Sequence, residues 1–232
     1  MPTAAEAELV RQLERARALH EQRAASPALA AALDRLAHWQ SRRLNATYAD
    51  LACDPRYAAA IAFFGNDLYG PGDFSRRDAD LARVVPLMAK VLPERVIATV
   101  AGAMELSALS HELDRALLER FNATPLSVAS YCDAYRRLGN RRSRERQITL
   151  IVAVGRALDR YVGKPLVRSA LAAMRQPARV AGLCALQDLL ERGFTAFRRM
   201  RGADEFLAAI EARETALMNR IFAGDRAPFP EP

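Results

Sequence analysis

What the chain lacks narrows its class before any motif is read. Lysine is almost missing: of 34 basic residues only Lys90 and Lys164 are lysine, and the rest are arginine. That skew reflects coding-sequence composition more readily than a selected phosphate-binding surface. The net charge of +7 and a pI near 9.8 therefore predict weak, non-specific binding to polyanions rather than a DNA-binding protein. Cysteine is scarce too, with Cys53, Cys132 and Cys184 far apart and no CxxC pair. This excludes a disulfide scaffold, and the three read as small buried core residues in a reducing compartment. The histidines, His20, His38 and His111, show no HxxxH or ExxH spacing, so no metal is expected. GxGxxG and GxSxG are absent. Gly155…Gly163-Lys164 has its glycines too far apart for a phosphate loop, with Pro165 where a Mg²⁺-binding hydroxyl would stand. No cofactor follows from any motif. The longest apolar run, Ile148 to Gly155 broken by Thr149, falls far short of the roughly 20 residues a spanning helix needs. Glu6, Glu8 and Glu14 occupy the N-terminus in place of an apolar signal, so no membrane contact and a cytoplasmic location are expected.

What is present is helical. Alanine and leucine dominate, glycine numbers 11, and hydrophobic residues make up 51%. Helix start and stop signals divide the chain. Ser26-Pro27, Asp54-Pro55 and Thr124-Pro125 pair a capping side chain with a first-turn proline. Ser75 with Asp78 resembles a capping box, Pro86 predicts a kink, and Pro93 opens a long helix. Gly139-Asn140, Gly163, Gln176-Pro177 and Gly202 separate the later helices. The expectation is an all-α, compact bundle of about eight to ten helices without sheet. It forms one domain over residues 1–224, followed by a flexible proline-rich tail at 225–232. Val96–Leu109 and Ile148–Val154 carry few polar residues and are placed at the centre.

Three constellations could carry chemistry. Arg137, Arg141, Arg142 and Arg144 form a candidate anion site with Arg136 and Arg146, at a helix–helix turn with Tyr131 and Tyr135 one turn back. A solvated arginine-rich turn is the plainer reading, because no groove-reading element accompanies it. Glu105 lies in the most apolar helix and needs an arginine or a raised pKa. His111, beside Ser107, Ser110 and Asp114, reads as a polar-face histidine. The densest mixture of aromatic and charged residues runs from Arg35 to Leu81. There Gln40 and Thr47 fall inside the leucine stripe of the helix from Pro27, while Trp39, Arg43 and Asp50 flank it. Asp67, Tyr69 and Arg77 follow downstream. Gln40, Arg43, Thr47, Asp67, Tyr69 and Arg77 form either a structural network or the wall of a ligand-binding cleft.

The same block carries a family resemblance. Arg35-Leu36…Trp39-Gln40…Arg43-Leu44…Thr47-Tyr48…Asp50-Leu51, then Pro55-Arg56-Tyr57, Phe63-Phe64, Leu68-Tyr69-Gly70-Pro71 and Phe74…Arg77-Asp78, resembles the bacterial "FFLEELY motif" proteins. Leu92-Pro93 and Glu105-Leu106…Leu109-Ser110…Leu113-Asp114 extend the likeness. Gly65-Asn66-Asp67 departs from it where Leu-Glu-Glu would stand, leaving only Asp67 to retain part of an acidic role. The resemblance implies a helical architecture and transfers no activity. With no catalytic motif, the leading expectation is a non-catalytic protein acting through macromolecular interaction, as a homo-oligomer or with a protein partner. The alternative is an enzyme or small-ligand binder with a polar cleft in the 35–81 block.

Overall fold

Local capping decides most of the helix starts. Thr3 accepts the Glu6 N–H while the Glu6 carboxylate takes the Thr3 N–H, a capping box that opens α1 (Ala4–Ala24). Ser26 accepts from Leu29, and Pro27 fills the first turn of α2 (Pro27–Thr47). The computed structural model describes residues 3–65, 74–121 and 125–232, excepting the side chains of 87–89 and 91. After α2 come α3 (Ala49–Cys53), α4 (Ala58–Phe63), α5 (Ser75–Val91), α6 (Glu94–Phe121) and α7 (Val128–Leu138). Then follow α8 (Arg141–Val162), α9 (Pro165–Val180), α10 (Cys184–Met200) and α11 (Asp204–Phe222). The described residues thus hold eleven helices and no strand, an all-α fold slightly more divided than the sequence predicts. None of these helices is long and apolar enough to cross a membrane.

Four boundaries differ from the sequence reading, each for a local reason. The helix from Pro27 breaks at Tyr48, where φ is −114° and ψ 21°, so that the phenol ring turns into the core. Asp54-Pro55 makes a turn instead of a helix start. Asp54 Oδ1 accepts the Arg56 N–H and Asp54 O the Tyr57 N–H, which delays α4 to Ala58. α7 starts at Val128 because Ser127 forms a capping box with Ser130. α9 continues through Pro177 and stops before Gly182, whose φ of +71° favours glycine. Pro86 is likewise carried inside α5, and both prolines are exposed, where water can take the carbonyl each leaves unpaired.

Three apolar clusters make up the core. Phe197, Met200, Phe206 and Leu207 centre the first, Trp39, Leu117, Tyr131 and Cys132 the second, and Leu9, Leu13 and Ile97 the third. α6 supplies side chains to all three, through Leu106 and Leu113, Leu117 and Phe121, and Ile97 and Met104. Of the cysteines only Cys132 is buried, where burial pushes its thiol up to about 12; Cys53 and Cys184 are exposed, contrary to expectation. Residues 225–232, expected as a flexible tail, make contacts with the bundle. Phe229 lies 6.0 Å from the Trp39 ring, Arg220 donates to Pro228 O at 2.7 Å, and Glu231 accepts the Val128 N–H at 2.8 Å.

Candidate functional site

Helical spacing gathers polar side chains at the seam between the first two clusters. Gln40 and Arg43 share a face of α2, Ser110 and Asp114 a face of α6, and Tyr131 and Tyr135 a face of α7. Arg144 and Gln147 project from α8, and Glu214 from α11 between Ile210 and Met218. Together they line a cavity of about 110 Å³. Apart from Tyr48, the remaining side chains of the wall are apolar. Ile61, Ile151, Phe206 and Ile210 come from the first cluster, and Ile148, Met218 and Ile221 from the second.

Two bonded groups and one unmatched cation emerge. Arg43 Nη1 lies 3.1 and 3.3 Å from the two Glu214 carboxylate oxygens, with Nη2 3.3 Å from Oε2. Tyr48 donates its hydroxyl to Glu214 Oε1 at 2.9 Å. Burial opposes the Arg43 charge, but Glu214 more than offsets it and holds the guanidinium more firmly protonated than usual. Gln40 Nε2 donates to Asp114 Oδ1 at 2.8 Å. Burial nonetheless pushes the Asp114 carboxyl above its ordinary range, against the pull of Gln40, Arg144 and His111. Gln147 donates to Ser110 Oγ at 2.8 Å and accepts from Arg144 Nη1 at 3.2 Å. Arg144 itself is 5% exposed, with its guanidinium carbon 4.4 Å from the Tyr135 ring centroid. Its Nε and Nη2 are buried without a hydrogen-bond partner, and it forms no ion pair among the described residues. A buried cation in this state is costly, so its presence needs a reason beyond packing.

The structure redistributes the residues singled out from sequence. Gln40 and Arg43 reach the cavity. Thr47 does not, although its hydroxyl is buried and unpartnered. Arg77 belongs to another cluster on α5, bonded to Asp78 at 2.9 Å with its guanidinium carbon 4.5 Å from the Phe74 ring centroid. Asp67 and Tyr69 lie outside the described residues. The arginine turn also divides. Arg137 and Arg142 are exposed, and Arg141 donates to Asn219 and stacks on Phe222. Arg144 turns inward, because it shares its helical stripe with Gln147, Ile148 and Ile151. Glu105 meets Arg146 through two hydrogen bonds, at 2.8 and 2.6 Å.

His38 is exposed, as its helical phase predicts. His20 instead contacts Asp78 at 2.9 Å and lies 5.8 Å from His111, ring to ring. Burial holds the His111 imidazole below its usual range. Among the described residues no three His, Cys, Asp or Glu side chains are disposed to hold a metal ion. Sequence reasoning missed Tyr48, Gln147 and Glu214 as site residues. For Glu214 a signal existed: it stands in the stripe Ile210, Leu217, Met218, Ile221, where an acid has no apolar role.

A family model for the domain of unknown function DUF8198 matches residues 19–228, and the chain belongs to that family. The match takes in the whole cavity wall except Phe229. Searches of curated proteins and of solved structures returned no match.

Proposed function

We propose that the protein binds a small molecule in the cavity between α2, α6, α7, α8 and α11. One observation carries this reading: five helices each commit polar side chains to a single interior space at the seam of two apolar clusters. Apolar side chains of similar volume would serve stability as well or better than buried charges, so the polar wall answers to something other than folding. The size sets a limit. A water occupies about 30 Å³ of liquid, and a cavity of about 150 Å³ can hold benzene, so 110 Å³ suits a ligand of few heavy atoms.

Trp39 is the single tryptophan and lies 4.8 Å from the Tyr131 ring and 6.0 Å from Phe229, both on the cavity wall. Its fluorescence is a built-in reporter. A panel of small polar molecules should include some that change it saturably and raise the melting temperature in parallel, since a ligand that binds only the folded state stabilises it. Ile210→Phe, which fills the cavity, should abolish both effects while leaving the helical circular dichroism intact. Absence of saturable binding across the panel sinks the proposal.

A macromolecular role keeps one supporting observation. On α9, Leu166 and Val180 are 84% and 89% exposed, a degree unusual for large apolar side chains. Light scattering that finds only monomer across a wide concentration range would remove self-association through this face.

A further inference from the structure

We infer that the ligand of this cavity is a small organic carboxylate whose two oxygens are gripped by Arg144; the inference rests on the ligand-binding reading above. The first argument is charge. Both Arg43 and Arg144 line the cavity, but Glu214 holds Arg43 through three contacts of 3.1–3.3 Å. Arg144 has no such acid among the described residues, and its only side-chain hydrogen bond is to the neutral Gln147. Asp114, on the same wall, is hydrogen-bonded to Gln40 at 2.8 Å instead. Arg144 is thus the cavity cation whose donors no acid of the described residues takes up.

The second argument is geometry, and this protein supplies its own precedents. Arg15 grips Glu112 with Nε and Nη2, Arg146 grips Glu105 with the same pair, and Arg175 grips Glu191 likewise. Those are the two donors that Arg144 leaves unpaired. This edge of the guanidinium presents two parallel N–H groups that match a carboxylate in a fork-to-fork pair. The third argument is the rest of the wall. Ile148, Ile151, Ile210 and Met218 offer nothing to a fully hydrated inorganic anion but suit a short hydrocarbon body. The volume limits the ligand to about four or five heavy atoms in all.

The experiment is a titration of the full chain, by Trp39 fluorescence and calorimetry, with the straight-chain carboxylates from acetate to hexanoate. Their primary amides and inorganic phosphate are run beside them at equal ionic strength. A short carboxylate should bind at least about tenfold tighter than its amide, with phosphate not competing, because only the carboxylate makes the charge-assisted pair. Arg144→Met should fold with a melting temperature no lower than wild type, since it removes an unpaired buried charge. It should also lose the preference for carboxylate over amide. Arg144→Lys keeps the charge without the fork and should weaken the carboxylate roughly tenfold or more, which serves if the methionine variant does not fold. Amides binding as tightly as acids would overturn the carboxylate assignment and leave the cavity reading standing. Phosphate binding in preference to every carboxylate would overturn it too, as would carboxylate affinity unchanged in Arg144→Lys. No binding by any of the three classes would overturn the carboxylate assignment, while saturable binding elsewhere in the wider panel would keep the cavity reading.

Discussion

Asp114 shows how a single side chain can trade stability for a polar wall. Its carboxyl faces the cavity, is held by Gln40, and is pushed above the ordinary carboxylate range by burial. The folded state therefore binds its proton more tightly than the unfolded chain does. The resulting stabilisation is fully present below the unfolded pKa and is lost as pH rises through the folded one. Asparagine keeps the oxygen that Gln40 needs and removes the ionisation. Asp114→Asn should thus melt above wild type at pH 8, with the difference shrinking as pH is lowered toward about 4. A scanning-calorimetry series would show it, and an equal gain at every pH would mean that ionisation is not the cause. Arg43 and Glu214 take the opposite course: each charge is offset by the other, and Tyr48 supplies a further hydrogen bond. Arg144 alone is left without such an answer from the chain's described residues.

At the scale of elements, two glycines permit close helix packing. A Cβ on Gly155 of α8 would lie 2.5 Å from Leu207 Cδ2 of α11, and one on Gly193 of α10 would lie 2.8 Å from Phe63 Cζ of α4. Leu207 and Phe63 are both buried, so neither can swing away without disturbing its neighbours. Gly155→Ala and Gly193→Ala should each cost about 1–3 kcal/mol in urea unfolding, despite alanine's better helix propensity. A stabilising effect of either would show that the helices are free to separate. Sequence punctuation told most of these elements apart because caps are local: Ser26-Pro27, Pro93 and Gly139 act within one turn. The break at Tyr48 was not legible, since its hydroxyl bonds Glu214, 166 residues away. Pro177 was misleading for a related reason: on an exposed helix face a proline does not end the helix as it would in a buried one.

For the molecule as a whole, part of the polar cavity wall was visible in sequence and part was not. Gln40 and Arg43 announce themselves as polar residues at a leucine stripe, whereas Asp114, Gln147 and Glu214 acquire meaning only when α2, α6, α8 and α11 converge. The arginine turn misled in the same way, because charge density alone does not say that Arg144 points inward while Arg142 points out. The C-terminal residues close this assembly. Phe229 lines the cavity, lies 5.7 Å from the Arg43 guanidinium carbon and 6.3 Å from the Tyr131 ring, and Glu231 satisfies the Val128 N–H at the start of α7. A segment that only trailed from α11 could be removed without consequence. One seated on Trp39 could not. Phe229→Ala would strip an aromatic ring from the second apolar cluster and open the space beneath Arg43. Because Phe229 is only partly buried, the loss should be about 1–3 kcal/mol, below the roughly 3–5 kcal/mol of a fully buried phenylalanine. Water reaching the indole should also shift Trp39 emission to longer wavelength in the folded state. Glu231→Gln, which keeps an oxygen for the Val128 N–H, should change neither measurement by much. If Phe229→Ala leaves both stability and emission at wild-type values, residues 225–232 are a free tail after all, and the cavity wall must be complete without them.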